Sequence, residues 1–241
     1  MSKPNHSFQV GSVNLIPMLG DITQLEVDAL IPPAGTSSYE NLFIYQASPW
    51  VRNIDRDGLI EQALITHAPL ELGRVIVTPA YHLSAKYLFH AIVVDWADTN
   101  SPRKLVKPEI VESAARICIE LAAALGLKSI AFTPWGTRVE RQSAAQVTAV
   151  MLQAITAQLH QTSGVLESIY LISNNPEHYQ WFVDRTFVFH LLSEQVNEIQ
   201  DSISELDIPE PSRKHLSELL NNLQDNVVVY NEIVGGDKIT I

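Results

Sequence analysis

Gly73-Arg74-Val75-Ile76-Val77-Thr78-Pro79-Ala80-Tyr81-His82-Leu83-Ser84-Ala85-Lys86-Tyr87-Leu88-Phe89-His90 holds two runs of one character on either side of a polar break. Arg74 to Thr78 (RVIVT) is rich in β-branched residues, and Tyr87 to Val94 (YLFHAIVV) joins aromatic to β-branched ones, so both read as strands. Pro79 and the residues after it supply the turn between them. His90 stands inside the second apolar run, where it reads as a hydrogen-bonded core histidine and not as a catalyst.

Two more strands lie upstream. Val13 to Leu19 (VNLIPML) is an apolar run that stops at Gly20, and Val27 to Ile31 (VDALI) stops at Pro32-Pro33. Prolines supply no N–H to a sheet ladder, so Pro32-Pro33-Ala34-Gly35 is expected to be a loop leaving the strand end. Downstream, Pro108 precedes Ile110, Ala114, Ile117, Leu121 and Leu125, the three-and-four spacing of one helix face, and Gly126 reads as its C-terminal stop. Ser129 to Thr133 (SIAFT) is a short strand. Ser143-Ala-Ala-Gln146 forms a capping-box pattern that opens a helix running to about His160. Ser168 to Ser173 (SIYLIS) is a further strand, and Pro176 opens a helix with aromatic members.

Alternation of strands and helices implies largely parallel strands covered by helices on both faces, and ligands in such sheets sit beyond the strand C-termini. The loops after Leu19, Ile31, Thr133 and Ile172 are therefore where function is expected. Past Phe187 the pattern changes. Leu192, Val196, Ile199, Ile203 and Leu206 form a narrow helical seam that wants a partner, either the preceding domain or a second chain. Pro209 and Pro211 interrupt it, a short helix carries Leu216, Leu219, Leu220 and Leu223, and 226–241 reads as two short strands around Gly235-Gly236-Asp237. The expected division is a domain at 8–185 and a helical and β-hairpin appendage at 187–241, a linker or oligomerisation element.

Composition narrows the class. A hydrophobic fraction of 46% with 18% charged residues is that of a folded domain, and no stretch has the roughly 18 uninterrupted apolar residues of a membrane span. The N-terminus lacks the apolar core of a secretory signal, so the cytoplasm is the expected compartment. Sixteen Lys and Arg against 27 Asp and Glu give a net charge of −11, which disfavours a nucleic-acid polymer as partner. A small anion is not excluded, because oriented backbone N–H groups attract negative charge locally. The single Cys118 excludes an internal disulfide and reads as helix core. The eight histidines include no H-x-x-x-H pair, and neither G-x-S-x-G nor a G-x-x-x-x-G-K loop occurs, so no metal, cofactor or catalytic set is expected. Asp95 and Asp98, flanking Trp96 at a strand end, read as a solvated loop.

Gly20-Asp21-Ile22-Thr23 followed by Val27-Asp28-Ala29-Leu30-Ile31 resembles the opening of macro domains, G-D-I-T, a spacer, then V-D-A-I-V-N-A-A-N. Gly73 to His90 resembles that family's G-x-A-x-x-T-x-G-Y-x-L-x-A-K-Y-x-I-H, and the similarity runs in family order over about residues 8–185. The resemblance implies a three-layer α/β/α mixed sheet holding ADP-ribose or a related nucleotide across its strand ends. It further implies that Asp21 accepts from the adenine amino group and the Ile22 N–H reads a ring nitrogen. Gly136, Thr137, Arg138 and Val139 stand where the family's second phosphate loop lies, and Ala34, Gly35 and Asn174 complete the implied ligand set. Asp21 also reads simply as an N-cap, and the Gly136 loop as an ordinary βα turn.

Two departures accompany the match. Gly35 takes the place of the asparagine that contacts the distal ribose in the family, and no glycine occurs between Thr36 and Asp57, where the family has a glycine-rich loop. Tyr39, Phe43, Tyr45 and Trp50 occupy that region, and Asp57-Gly58-Leu59-Ile60 reads as the start of the helix after it. The expected function is ADP-ribose or adenine-nucleotide binding without efficient catalysis. ADP-ribosyl hydrolysis and a protein-interaction scaffold with a degenerate pocket are the alternatives, and a protein partner or self-association through 187–241 is a further expectation.

Overall fold

The computed structural model describes residues 7–36, 55, 57–95, 106–136, 141–162, 164–205 and 209–217, with backbone only at 141–144 and 188–197. The strands are β1 (Phe8–Val10), β2 (Val13–Leu19), β3 (Ala29–Ile31), β4 (Pro33–Gly35), β5 (Val75–Pro79), β6 (Tyr87–Val94), β7 (Ser129–Phe132) and β8 (Ser168–Ser173). The helices are α1 (Leu59–Ile65), α2 (Pro108–Ala124), α3 (Arg141–Gln161) and α4 (Pro176–Glu205), with a 3₁₀ turn at Ile22–Gln24. The expected strand over Val27–Ile31 begins at Ala29, and β1 was not foreseen.

All eight strands form one sheet in the order β1, β2, β8, β7, β3, β6, β4, with β5 also paired to β6. The pairs β2/β8, β8/β7, β7/β3, β3/β6 and β4/β6 are parallel, while β1/β2 and β5/β6 are antiparallel. The sheet is thus mixed, with a parallel centre whose strand ends share one edge. Seven of the eight residues of β6 are buried, as a strand covered on both faces requires. Leu88 and Ile92 join Leu30, Ala131 and Ile172 in a core cluster with Ile60 and Leu64 of α1. Phe89, Ala91 and Val93 alternate to the opposite face, where α2 packs on β6 and α3 packs on α2.

The segment Pro32 to Gly35 is not the expected loop. Pro33–Gly35 pairs with Ala91, Ile92 and Val94 of β6, so β3 and β4 are one strand line running alongside β6. The Asp28 and Pro32 carbonyls accept from Tyr87 and Ala91 and therefore point toward β6. Pro33, one residue on, turns its missing N–H the other way, and β7 pairing has already ended there at Ile31 and Phe132. A proline without a waiting acceptor leaves the ladder intact.

Two helix expectations also shift. The stripe that α2 buries is Val111, Ala114, Ala115, Cys118, Ile119 and Ala122, one position round from the expected face, and Leu125 is exposed. Gly126, in the left-handed region at φ 63°, ends α2 as expected. α3 begins at Arg141, so Ser143 lies within its first turn and is not the N-cap.

At the starts of the central strands, the Asp28 carboxylate accepts from Lys128 N (2.8 Å) and Ser129 N (3.0 Å) and pairs with Lys86 Nζ at 2.7 Å. This one side chain clips the entries of β3, β6 and β7 together. The chain divides into two compact units, Met1–Arg185 and Thr186–Ile241. In the second, Gln200 Nε2 donates to Ser217 Oγ at 2.6 Å, Ile203 is buried and Ile199 is half exposed. Leu219, Leu220, Leu223 and the expected hairpin at 226–241 lie outside the described residues, as do Leu206 and the side chains of Leu192 and Val196.

Candidate functional site

β2 ends at Leu19, beside Ser173 at the end of β8, and the Gly20 N–H donates to the Ser173 carbonyl at 2.9 Å. The next residue, Asp21, is exposed and caps the 3₁₀ turn: its Oδ1 accepts from Thr23 N (2.9 Å) and Thr23 Oγ1 (2.8 Å). The cap reading of Asp21 is therefore correct, and it occupies one oxygen. Oδ2 and the Ile22 N–H have no hydrogen-bond partner among the described residues. The Ile22 side chain is buried in the core cluster, which fixes the turn to the sheet. An acceptor and a donor thus stand side by side on a rigid rim.

Asn174 follows β8 and is exposed on the same rim. Its neighbour Asn175 is the N-cap of α4: Oδ1 accepts from Glu177 N at 2.8 Å, and the Asn175 N–H itself donates to Ser173 Oγ at 3.1 Å. One turn into α4 the rings of His178 and Trp181 lie 4.6 Å apart at 32°. Partial burial holds the His178 pKa below its ordinary value, which favours a neutral imidazole in this stack.

After β7 the chain runs through Thr133, Pro134 and Trp135 to Gly136. Trp135 is fully buried, with its ring 5.8 Å from Phe132. Trp135 Nε1 and Thr133 Oγ1 are buried without a partner among the described residues, so this loop carries unused hydrogen-bonding capacity. Gly136 takes φ 75°, and a Cβ there would meet Val147 at 3.1 Å. Thr137, Arg138 and Val139 lie outside the described residues, as does the aromatic segment carrying Tyr39, Phe43, Tyr45 and Trp50.

Ala34 and Gly35 are buried in β4, at the strand ends but within the sheet. Beyond them Thr36 N donates to the Val94 carbonyl at 2.9 Å, and Thr36 Oγ1 donates to Asp95 Oδ1 at 3.2 Å. Asp95 is half-buried and bonded, not the solvated loop residue expected. The helix start read at Asp57 to Ile60 is present, but its capping group is Asp55, whose two oxygens accept from Ile60 N and Glu61 N at 2.9 Å each. Gly58 in the left-handed region separates that cap from the helix, which hid it from the usual one-residue pattern.

His90 is a core residue as expected. Its Nε2 is hydrogen-bonded to Thr78 Oγ1 at 2.9 Å, and that hydroxyl also lies 3.1 Å from the Pro79 carbonyl. Complete burial pushes the His90 pKa down to about 3, and nearby His67 adds to this, so His90 stays neutral near pH 7. Cys118 is likewise buried, where desolvation keeps it a thiol. A cleft of about 220 Å³ lined by Ser12, Ala123, Leu159 and Gly164 lies where β2 begins, at the end of the sheet away from these loops. No helix of the described residues is long and apolar enough to cross a membrane.

Four loops at one edge of the parallel centre thus present an acceptor-donor pair, a left-handed glycine turn, an exposed asparagine and a strand end without a side chain. A family profile described as Macro domain matches residues 59–151. The O-acetyl-ADP-ribose deacetylase of Salmonella gallinarum is 31% identical over 142 residues, 57% of this chain and 74% of that protein. Among solved structures, a mutant macrodomain of Oceanobacillus iheyensis aligns with TM-score 0.61 at 20% identity, over 78% of this chain and 98% of that one. The Trypanosoma brucei macrodomain in complex with ADP-ribose aligns with TM-score 0.54 at 19% identity, over 70% of this chain and 67% of that one. With a sheet, strand order and loop arrangement of this kind, and a relative of that identity covered over most of its length, the chain belongs to the macro domain family.

Proposed function

We propose that the chain binds ADP-ribose or a related adenine nucleotide across the C-terminal ends of β2, β8, β7 and the β3/β4 line, without efficient catalysis. The observation that carries this is the pairing at Asp21 and Ile22. Adenine presents an amino donor next to a ring-nitrogen acceptor, and Asp21 Oδ2 beside the Ile22 N–H is the complementary pair. The ligand named for the Trypanosoma brucei structure and the substrate named for the Salmonella relative share that adenine and its diphosphate. Gly136, at φ 75°, makes the turn after β7 where oriented backbone N–H groups can meet a diphosphate. Attack at a ribosyl carbon needs a sugar fixed in one orientation, and Gly35 offers no side chain to fix it, which argues for binding over turnover.

ADP-ribosyl hydrolysis is the second reading; the Salmonella relative's name gives that protein a hydrolytic activity on an ADP-ribose derivative, at an acetyl group and not at the ribosyl linkage. Calorimetric titration with ADP-ribose, ADP, NAD and a cyclic nucleotide tests the proposal. Sub-millimolar affinity for an adenine nucleotide supports it, and silence with all four refutes it in favour of a scaffold.

A further inference from the structure

α2 and α3 each precede a strand of the parallel centre, β7 and β8, so their C-termini finish together at the end of the sheet where β2, β7 and β8 begin. The cleft of about 220 Å³ lies there. Val13, Ile119, Ala123, Leu159 and Leu166 give it apolar walls, and no charged side chain of the described residues lines it. An apolar cavity of about 150 Å³ takes benzene, while drug-sized ligands occupy about 300–1,000 Å³. The space therefore suits a body of roughly six to eight heavy atoms and excludes a nucleotide.

Its polar side is set by the helix ends. α2 closes its own terminus, because the carbonyls of Leu121, Ala122 and Ala123 accept from the N–H groups of Leu125, Leu127 and Gly126. α3 does not. The Gln158 carbonyl accepts from Thr162 N at 3.0 Å, but the carbonyls of Leu159, His160 and Gln161 have no donor among the described residues. Gln158 Nε2 donates to Thr162 Oγ1 at 2.9 Å, which leaves that hydroxyl a lone pair. Ser12, in the β1/β2 turn beside Gly11 at φ 58°, brings a second, exposed hydroxyl to the mouth. Acceptors thus surround an apolar floor at the negative ends of two helix dipoles.

We propose that this cleft is a second binding site, one that takes a small amphipathic cation: a short alkyl or aryl body between the apolar walls and a primary ammonium at the end of α3. An ammonium supplies three donors and no acceptor, which matches the orphan carbonyls and hydroxyls, whereas a carboxylate meets only like charge there. The assignment stands on this end of the sheet alone and is independent of nucleotide binding at the other.

The test is titration of hexylamine, hexanol and hexanoate into the isotope-labelled full chain, followed by amide shifts in NMR spectra. The expected result is a saturable response at Ser12, Thr162 and Gly164, with hexylamine binding about tenfold or more tighter than hexanoate and hexanol falling between them. Ala123→Leu, whose longer side chain fills the cleft, is expected to abolish it. No saturable response to hexylamine, equal affinity for hexanoate, or an unchanged response in a folded Ala123→Leu protein overturns the proposal. Shifts spread over the acidic surface, the mark of general counterion attraction, also overturn it. Should Ala123→Leu not fold by circular dichroism, the wild-type shift map and the order of the three ligands decide the outcome.

Discussion

Replacing Gly136 with alanine imposes two separable penalties. Its φ of 75° lies in the left-handed region, which costs a residue with a Cβ about 1–2 kcal/mol. The new Cβ would also sit 3.1 Å from Val147 Cγ2 and 3.2 Å from its Cβ and Cγ1. Val147 is buried in α3, and a β-branched side chain in a helix has essentially one χ1 rotamer, so it cannot swing aside. Overpacking of that kind adds about 1–3 kcal/mol. The sum, about 2–5 kcal/mol, corresponds to a fall in Tm of roughly 4–20 °C for a protein of this size. Differential scanning calorimetry of Gly136→Ala, Val147→Ala and the double variant separates the two contributions. Val147→Ala removes both Cγ contacts, so the double variant is expected to be more stable than additivity allows by about 1–3 kcal/mol, while the backbone part remains. A Gly136→Ala protein melting within about 1 °C of wild type, or strict additivity in the cycle, would refute the reasoning.

Asp28→Asn is expected to destabilise by about 1.5–3 kcal/mol at pH 7, measured by urea titration, because charge-assisted bonds to Lys86, Lys128 and Ser129 weaken together. Burial alone would raise the Asp28 pKa, but Lys86 and the two backbone N–H groups outweigh it and hold the carboxyl below its ordinary 3.8. Its contribution is thus complete above that value and fades as pH falls through the lower folded pKa, so wild type and variant should converge in acid and diverge above about pH 4. Asp21→Asn keeps an N-cap acceptor and is expected to melt within about 0.5 kcal/mol of wild type while losing about tenfold or more in adenine-nucleotide affinity. Unchanged affinity would exclude Asp21 from the site. Wild-type protein is expected to release no appreciable ADP-ribose from mono-ADP-ribosylated protein beside an active macro-domain control, since uniform binding does not lower a barrier. Turnover within about tenfold of that control would contradict this.

β2, β6 and β8 were legible because each is a short, largely apolar run bounded by turn or polar residues, and their burial agrees with that composition. β4 was not, because a proline pair argues against a ladder unless one knows which way each missing N–H points, and that depends on where β7 stops. β1 has three residues, too few for a pattern to show. At the strand ends, the Asp21 cap was readable from its local motif. The bond between Thr36 and Asp95 was not, because the two are 59 residues apart and adjacent only through the β4/β6 pairing. The stripe buried by α2 was misplaced by one position since most of its members, Ala114, Ala115, Cys118 and Ala122, are small and stand out less than Ile117, Leu121 and Leu125 in the sequence.

A crystal structure of the full chain with ADP-ribose tests nucleotide binding at the strand ends most directly. The predicted result has the adenine amino group on Asp21, a ring nitrogen at the Ile22 N–H, the diphosphate against Gly136 and the second ribose beside Gly35. Adenine bound away from Asp21, or ligand seated instead in the cleft by Ser12 and Ala123 at the other end of the sheet, would contradict it.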